Sequence, residues 1–428
     1  MKTNLVMKSV VKEMLTTLLY YHYTPIAIEY IDEIISRHRL LCESLNLHGR
    51  VRISEEGYNG TLDGTPDEIN QYIASMEDDE KKIKDGNEKK NDRDDEKNQN
   101  DKKNKDDNKN DKIEVKNDPS LSTGLVGIHW KLGVTTVDRR ISSLSVKRSK
   151  EIVSLDLDPA TNQLVSEMEA GKHLTPQEFH DQIEKACCDT NGHHNDNVKV
   201  NDDNNVDSYE YNANENDLDN DGHGVSNDKV EMNHHLKHVD ENSRITTDSI
   251  LLDVRNSYET NIGRFEVDGI LTVDPCTRNY SEFTRYVDSH MNELKNKNIY
   301  TYCTGGVRCE KASKYLRYKG IERVYQLSGG IHAYMTTYPS GGYFKGKNFV
   351  YDPRIAISYQ SIDPTIDVIV GRCCRCQASY DDYTKQFRCH LCRILILVCD
   401  NEQCCNDYHN QGILCDACTT SKKPSSMR

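Results

Sequence analysis

The chain has 428 residues, room for two or three domains. A mean hydropathy of −0.79 and a formal charge of −14 are too polar for a chain folded throughout, so part of it is expected to be disordered. No apolar run approaches the roughly 20 residues that cross a bilayer, which excludes a membrane-embedded protein and predicts a soluble one.

Two stretches carry the excess polarity. Glu77 to Asp118 holds 16 acids against 13 bases, and Asp189 to Ser243 holds 14 against 3. Their net charges of −3 and −11 equal the whole −14, leaving the rest near neutral. An acidic pI of about 5.6 therefore does not argue against an RNA partner.

In chain order, residues 1–19 form a mildly basic, amphipathic extension without a signal-peptide core or cleavage site, which leaves an organellar transit peptide open. From Tyr20, EYIDEIISRHRLLCESL reads as a helix, GRVRIS as a strand and EEGYNGTLDG as turn-rich. GIHWKLGVTT and SSLSVKRSKEIVSL resume strand patterning, so residues 20–165 read as one small α+β domain interrupted by the insertion 77–118. HLTPQEFHDQIEKA then reads as a helix. After the insertion 189–243, SILLDVRN, GILTVD, NIYTYCTGG and RVYQLSGG are short apolar runs separated by helical text. This βαβ rhythm assigns 166–345 to an α/β domain with a parallel sheet, whose reactive groups belong at the carboxyl ends of strands.

NIYTYCTGGVRCEKASKYLRYKG reads as a buried strand, a six-residue loop from Cys303 and a helix starting near Cys309. Gly305 and Gly306 let backbone N–H groups turn inward, and the helix adds its amino-terminal donors. Such a cradle depresses the pKa of a central thiol and makes Cys303 a nucleophile, with Arg308 as a fixed charge. The bland reading is an inert buried cysteine. A cysteine phosphatase has five residues between cysteine and arginine; here four, Thr304 to Val307, intervene. The shorter loop suits a sulfur or small anion better than a phosphate ester.

YCTGGVRCEKAS, LLDVRNSYETNIGRF upstream and VYQLSGGIHAYMTTYPSGGYFKGKNFVYDPRIAISY downstream together resemble the rhodanese-domain family of tRNA uridine(34) hydroxylases and their eukaryotic relatives. GRVRISEEGYNGTLDGT resembles that family's EGINGT-type signature, with Tyr58 where Ile is usual, and RRISSLSVKRSKEIVSL its lead into the rhodanese domain. The resemblance implies a ferredoxin-like (acylphosphatase-like) amino-terminal domain, a central rhodanese domain, Cys303 as catalytic cysteine and Thr304 to Arg308 as active loop. It places Asp253, Arg255 and Glu259 in the DVRNxYE element and makes Glu56 and Asn59 candidates for RNA or active-site contact, against a plain structural turn. It implies oxygen-dependent hydroxylation of carbon 5 of the wobble uridine, with tRNA as partner and molecular oxygen as cosubstrate. The alternatives are a sulfurtransferase, carrying a persulfide on Cys303 from a small sulfur donor, and a noncatalytic RNA-binding scaffold. Cys309 reads either as a resolving thiol for an oxidised Cys303 or as packing.

Ten of the sixteen cysteines crowd between Cys373 and Cys418, which reads as metal in a reducing, cytoplasmic compartment. The pairs Cys373/Cys376, Cys389/Cys392, Cys399/Cys404 and Cys415/Cys418 suit two structural Zn²⁺ sites of four thiolates each within a segment, 346–428, too short to fold unaided. Cys374 and Cys405 are neighbouring spares, His390 and His409 weaker ligands, and an iron–sulfur cluster the competitor. The EF-hand-like run Asp217 to Asp228 lacks flanking amphipathic helices and reads as chance, as do the pairs His193-His194 and His234-His235. Asn59-Gly60-Thr61 is a glycosylation sequon only in a secreted chain.

Overall fold

Amphipathic patterning builds the first sheet. β1 (Met14–Tyr23), β2 (His48–Ser54), β3 (Gly57–Gly64), β4 (Lys131–Thr136) and β5 (Leu144–Arg148) lie in the order β4-β1-β3-β2-β5. All pairings are antiparallel except β2 with β5. On α1 (Ile31–Ser44) the buried residues Ile31, Ile34, Ile35, His38 and Cys42 form one stripe. With α2 (66–77) the succession is β-α-β-β-α-β, the ferredoxin-like arrangement, with β5 added at one edge. The computed structural model describes residues 14–77, 130–136, 141–191, 248–349, 356–358 and 368–421. The insertions beyond Glu77 and Asn191, the EF-hand-like run and the histidine pairs lie outside the described residues.

Two local expectations change. Residues 14–19, read as extension, are strand: β1 starts at Met14, and Leu15, Leu18 and Leu19 are buried. The turn-rich reading of EEGYNGTLDG holds only at Glu55-Glu56, because from Gly57 onward the polar residues pair across β1 and β2. Sheet pairing overrides the turn chemistry of Asn59-Gly60.

The second sheet is parallel, in the order β6 (Lys172–Leu174), β11 (Val324–Leu327), β10 (Asn298–Tyr302), β7 (Ser249–Asp253), β9 (Leu271–Val273). Helices cover both faces. Ile250, Leu252 and Ile299 join one core beneath α3 (Pro159–Glu167), α6 (Phe283–Ser289) and α8 (Val307–Tyr318). Leu251, Tyr300 and Tyr302 point the other way, with Phe179 of α4 (Pro176–Asn191) and Tyr334 of α9 (Gly330–Thr337). The two-residue period of the strands thus divides one apolar run between two cores. Leu155 and Val165 already belong to the first of these cores, so the chain enters the second domain ahead of residue 166. A small sheet of β8 (Gly263–Phe265), β12 (Phe344–Phe349) and β13 (Ala356–Ser358) leads to the cysteine-rich segment. Leu395 and Leu397 of that segment pack with Ile262 and Phe349.

Candidate active site and cysteine clusters

Cys303 follows the last residue of β10 and is 0% exposed. Its sulfur accepts the Gly306 N–H at 3.0 Å. Gly306 caps α8 at φ 101°, a conformation that favours glycine, and a Cβ there would stand 2.5 Å from the Tyr21 hydroxyl. The helix begins at Val307, two residues before the expected start, so Arg308 and Cys309 both lie in its first turn. Behind the loop, Ile331 N–H donates to Cys303 O at 2.9 Å and His332 N–H to Thr304 O at 3.1 Å. A Cβ on Gly330 would meet Cys303 O at 2.5 Å.

Burial alone would raise the Cys303 pKa. It is outweighed by the hydrogen bond from Cys309, the charge of Arg308 and the amides of Cys309 and Gly306, and the thiol falls to about 5. Cys309, by contrast, is pushed well above the ordinary range, chiefly by burial and then by its neighbour's charge. It stays protonated and donates to the thiolate, a role beyond packing or resolution.

Arg308 supplies the expected fixed charge beside Cys303, and it also grips Glu259 with both ends of its guanidinium, at 2.6 and 2.7 Å, and reaches Thr304 Oγ1 at 3.1 Å. Both partners are buried, so the pair braces the loop against α5 (Ser257–Thr260), each charge compensating the other. Glu259 also closes the capping box of α5 by accepting from Asn256 N–H at 3.1 Å. Asp253 and Arg255 do not join them: they form their own buried pair at 2.6 Å, with Arg255 also donating to Gly263 O. The DVRNxYE element thus serves two hydrogen-bond networks, coupled through the charges of Arg255 and Glu259.

Glu56 and Asn59 lie at the domain junction and not at the sulfur. Glu56 pairs with Lys311 of α8 at 2.6 Å and accepts Ile152 N–H; Asn59 donates to Ile152 O at 3.0 Å. Lys311 also pairs with Glu151. The sequence reading missed the residues of the first domain that cover the loop. Tyr23 donates to Val307 O at 3.0 Å, Tyr21 packs on Gly306, and Lys131 is buried beside them. The alternation in YYHY, which sends Tyr20 inward and Tyr21 and Tyr23 outward, was the only signal.

The four cysteine pairs interleave. The sulfurs of Cys373, Cys376, Cys399 and Cys404 lie within 4.8 Å of one another, and those of Cys389, Cys392, Cys415 and Cys418 likewise. First with third and second with fourth is a cross-brace, in which the chain between the ligands of one cluster carries a pair of the other. The two halves repeat closely. Cys399 N–H donates to Cys373 Sγ and Cys415 N–H to Cys389 Sγ, each at 3.3 Å, and Cys376–Cys399 and Cys392–Cys415 are both 3.6 Å apart. That separation approaches the about 3.8 Å expected between thiolates on tetrahedral zinc. Each cluster can hold a metal ion; Cys374, Cys405, His390 and His409 belong to neither.

A parallel sheet covered on both faces, with a cysteine thiolate cradled between a strand end and a helix amino terminus, defines a rhodanese-type enzyme. Residues 15–117 match the UPF0176 acylphosphatase like domain, 236–337 the Rhodanese-like domain and 345–423 the Rhodanase C-terminal family. The chain is 30% identical over 95% of its length to Rhodanese-like domain-containing protein 6 of Arabidopsis thaliana, of which it spans 53%. It is 26% identical to proteins named tRNA uridine(34) hydroxylase from Aster yellows witches'-broom phytoplasma, covering 93% of this chain and 86% of that one, and from Bacillus velezensis, covering 83% and 74%. The chain belongs to the rhodanese-domain family that includes the tRNA uridine(34) hydroxylases.

Proposed function

We propose that the chain hydroxylates carbon 5 of the wobble uridine of tRNA, with molecular oxygen as cosubstrate and Cys303 as the reactive group. The observation that carries this reading is a fully buried cysteine held as thiolate, in a chain aligned almost end to end with bacterial proteins of that name. Thr304 to Val307 form the cradle, Cys309 donates to the sulfur, and the Arg308–Glu259 pair fixes the loop. A cleft of about 260 Å³ between the rhodanese domain and the second cysteine cluster, lined by Tyr258, Arg278, Arg388 and Arg393, offers guanidinium groups for RNA phosphates. The cysteine clusters take one Zn²⁺ each, closed by four thiolates and therefore structural.

The second reading is a sulfurtransferase bearing a persulfide on Cys303. The same inward-turned amide would stabilise its terminal sulfur. Mass spectrometry of tRNA nucleosides from cells lacking the protein separates the two. Loss of 5-hydroxyuridine-derived nucleosides, restored by the wild type and not by Cys303→Ser, supports the hydroxylase. Unchanged tRNA with lost thiosulfate:cyanide activity supports the sulfurtransferase, and no change in either supports a noncatalytic scaffold.

A further inference from the structure

Arg308 lies in the same loop as Cys303, but its guanidinium is engaged by both oxygens of Glu259. A second cation approaches the active loop from the other domain. Lys131 opens β4, opposite Leu19 of β1, and is only 5% exposed. Its ammonium lies 4.7 Å from the ring centroid of Tyr21, whose hydroxyl packs on Gly306 of the active loop. The next residue ties the strand to the second domain: Leu132 O accepts from His332 Nε2 at 3.0 Å, and the amide of His332 donates to Thr304 O. Lys131 thus sits in the seam between the domains, within electrostatic range of Cys303.

A buried ammonium is unfavourable unless an anion or hydrogen-bond acceptor compensates it. Burial lowers Lys131 to about 8, and the Cys303 charge acts in the opposite sense. Between about 5 and about 8, both the sulfur and this ammonium are therefore charged. The hydroxyls and the thiol at the seam hold one state across that window, whereas the pKa of His332 is lowered from 6.5 and that of His173 is raised from it. Tyr21 of β1, Tyr280 before α6 and Cys309 of α8 are raised by burial and stay protonated. His332 of α9 is lowered by burial, and Arg308 stays paired with Glu259. Glu310, also near Tyr21, is lowered despite its burial by His173 at 3.0 Å.

We propose that Lys131 is a further residue of the Cys303 site, delivered by the ferredoxin-like domain to hold the sulfur, and any anion formed on it, in the charged state. The inference rests on the reading of Cys303 as a reactive thiolate. On this view the rhodanese domain alone is an incomplete site, because one of its charges belongs to β4.

The test uses the full chain with Lys131→Met, Lys131→Arg and, should the first misfold, Lys131→Gln. The rate of Cys303 alkylation by iodoacetamide is followed against pH by mass spectrometry of the Cys303 peptide. Opening of the seam scales the amplitude of this profile, whereas the charge beside the sulfur sets its midpoint. The neutral variants are expected to raise the midpoint by about one pH unit and Lys131→Arg to keep it near the wild-type value. An unchanged midpoint in a folded neutral variant overturns the inference and leaves Cys303 untouched. A wild-type midpoint above about 8 overturns the reading of Cys303 itself.

Discussion

Cys303 and Cys389 are both 0% exposed, and each sulfur accepts a backbone amide, at 3.0 Å from Gly306 and 3.3 Å from Cys415. Their surroundings differ in the number of other sulfurs. Cys303 has one neighbour, a protonated donor, while Cys389 shares a 4.8 Å cluster with three further cysteines. A thiolate kept by hydrogen bonds and one partner charge retains an open valence for chemistry, whereas four converging thiolates close around a metal. The residue type alone decides neither outcome; the geometry of its donors does.

The largest effect that could break this contrast comes from Cys303→Ser. It should reduce activity by about 10⁴-fold or more, as loss of a reacting group does. The melting temperature should stay within a few degrees, since the serine leaves the brace of Arg308 and Glu259 in place. Retained activity in this variant would make Cys303 no more reactive than a structural cysteine. At the other pole, a strong chelator should unfold residues 368–421, read as protease sensitivity of that segment, and leave the Cys303 alkylation midpoint in place. Structural zinc contributes roughly 10–16 kcal/mol to such modules. Because the pairs interleave, Cys389→Ser should lower metal content by more than one equivalent; a loss of only one would show that the clusters fold independently.

Glu259→Gln sharpens the comparison within the loop itself. Removing one charge leaves the buried Arg308 uncompensated, which costs about 3–5 kcal/mol and should appear as a lowered denaturant midpoint. Burial opposes ionisation of Glu259, but Arg308, the charge of Arg255 and the Asn256 amide win and hold its carboxyl below the ordinary value of 4.5. Its contribution is therefore complete above that value and declines as the pH falls through the lowered folded-state pKa. The wild type should lose stability in that acid range relative to the variant, so the difference between their unfolding curves should narrow there.

How far these features were legible depends on how local they are. The Cys303 cradle, each cysteine pair and each strand of the parallel sheet lie in one short stretch, and the sequence shows them directly or by resemblance. Glu259 and Arg308 were both singled out, yet their mutual grip was invisible because 49 residues separate them and nothing in either segment specifies the other. The cross-brace was similarly hidden: four pairs fix the number of sites but not which pairs share a metal. Lys131, Tyr21 and Tyr23 were missed because each is an ordinary strand residue within its own domain. They acquire a role only where the second domain closes against β1 and β4, and a polar insertion separates β4 from its own domain's second helix.

That seam yields the smallest expected effect. Tyr23→Phe removes one hydroxyl that donates to Val307 O at 3.0 Å and leaves the ring in place. The net loss for such a bond is about 0.5–1.5 kcal/mol, shared between folding and closure of the domains. Weaker closure exposes the sulfur more often, so alkylation of Cys303 should quicken by at most about two- to thirteen-fold, the same energy expressed as a population. The midpoint of the pH profile should not move, because no charge beside the sulfur has changed. Tyr23→Phe and Lys131→Met therefore act on different axes of one measurement, amplitude for the first and midpoint for the second. If both variants moved only the amplitude, the first domain would be a cover over the thiolate and not a contributor to its charge.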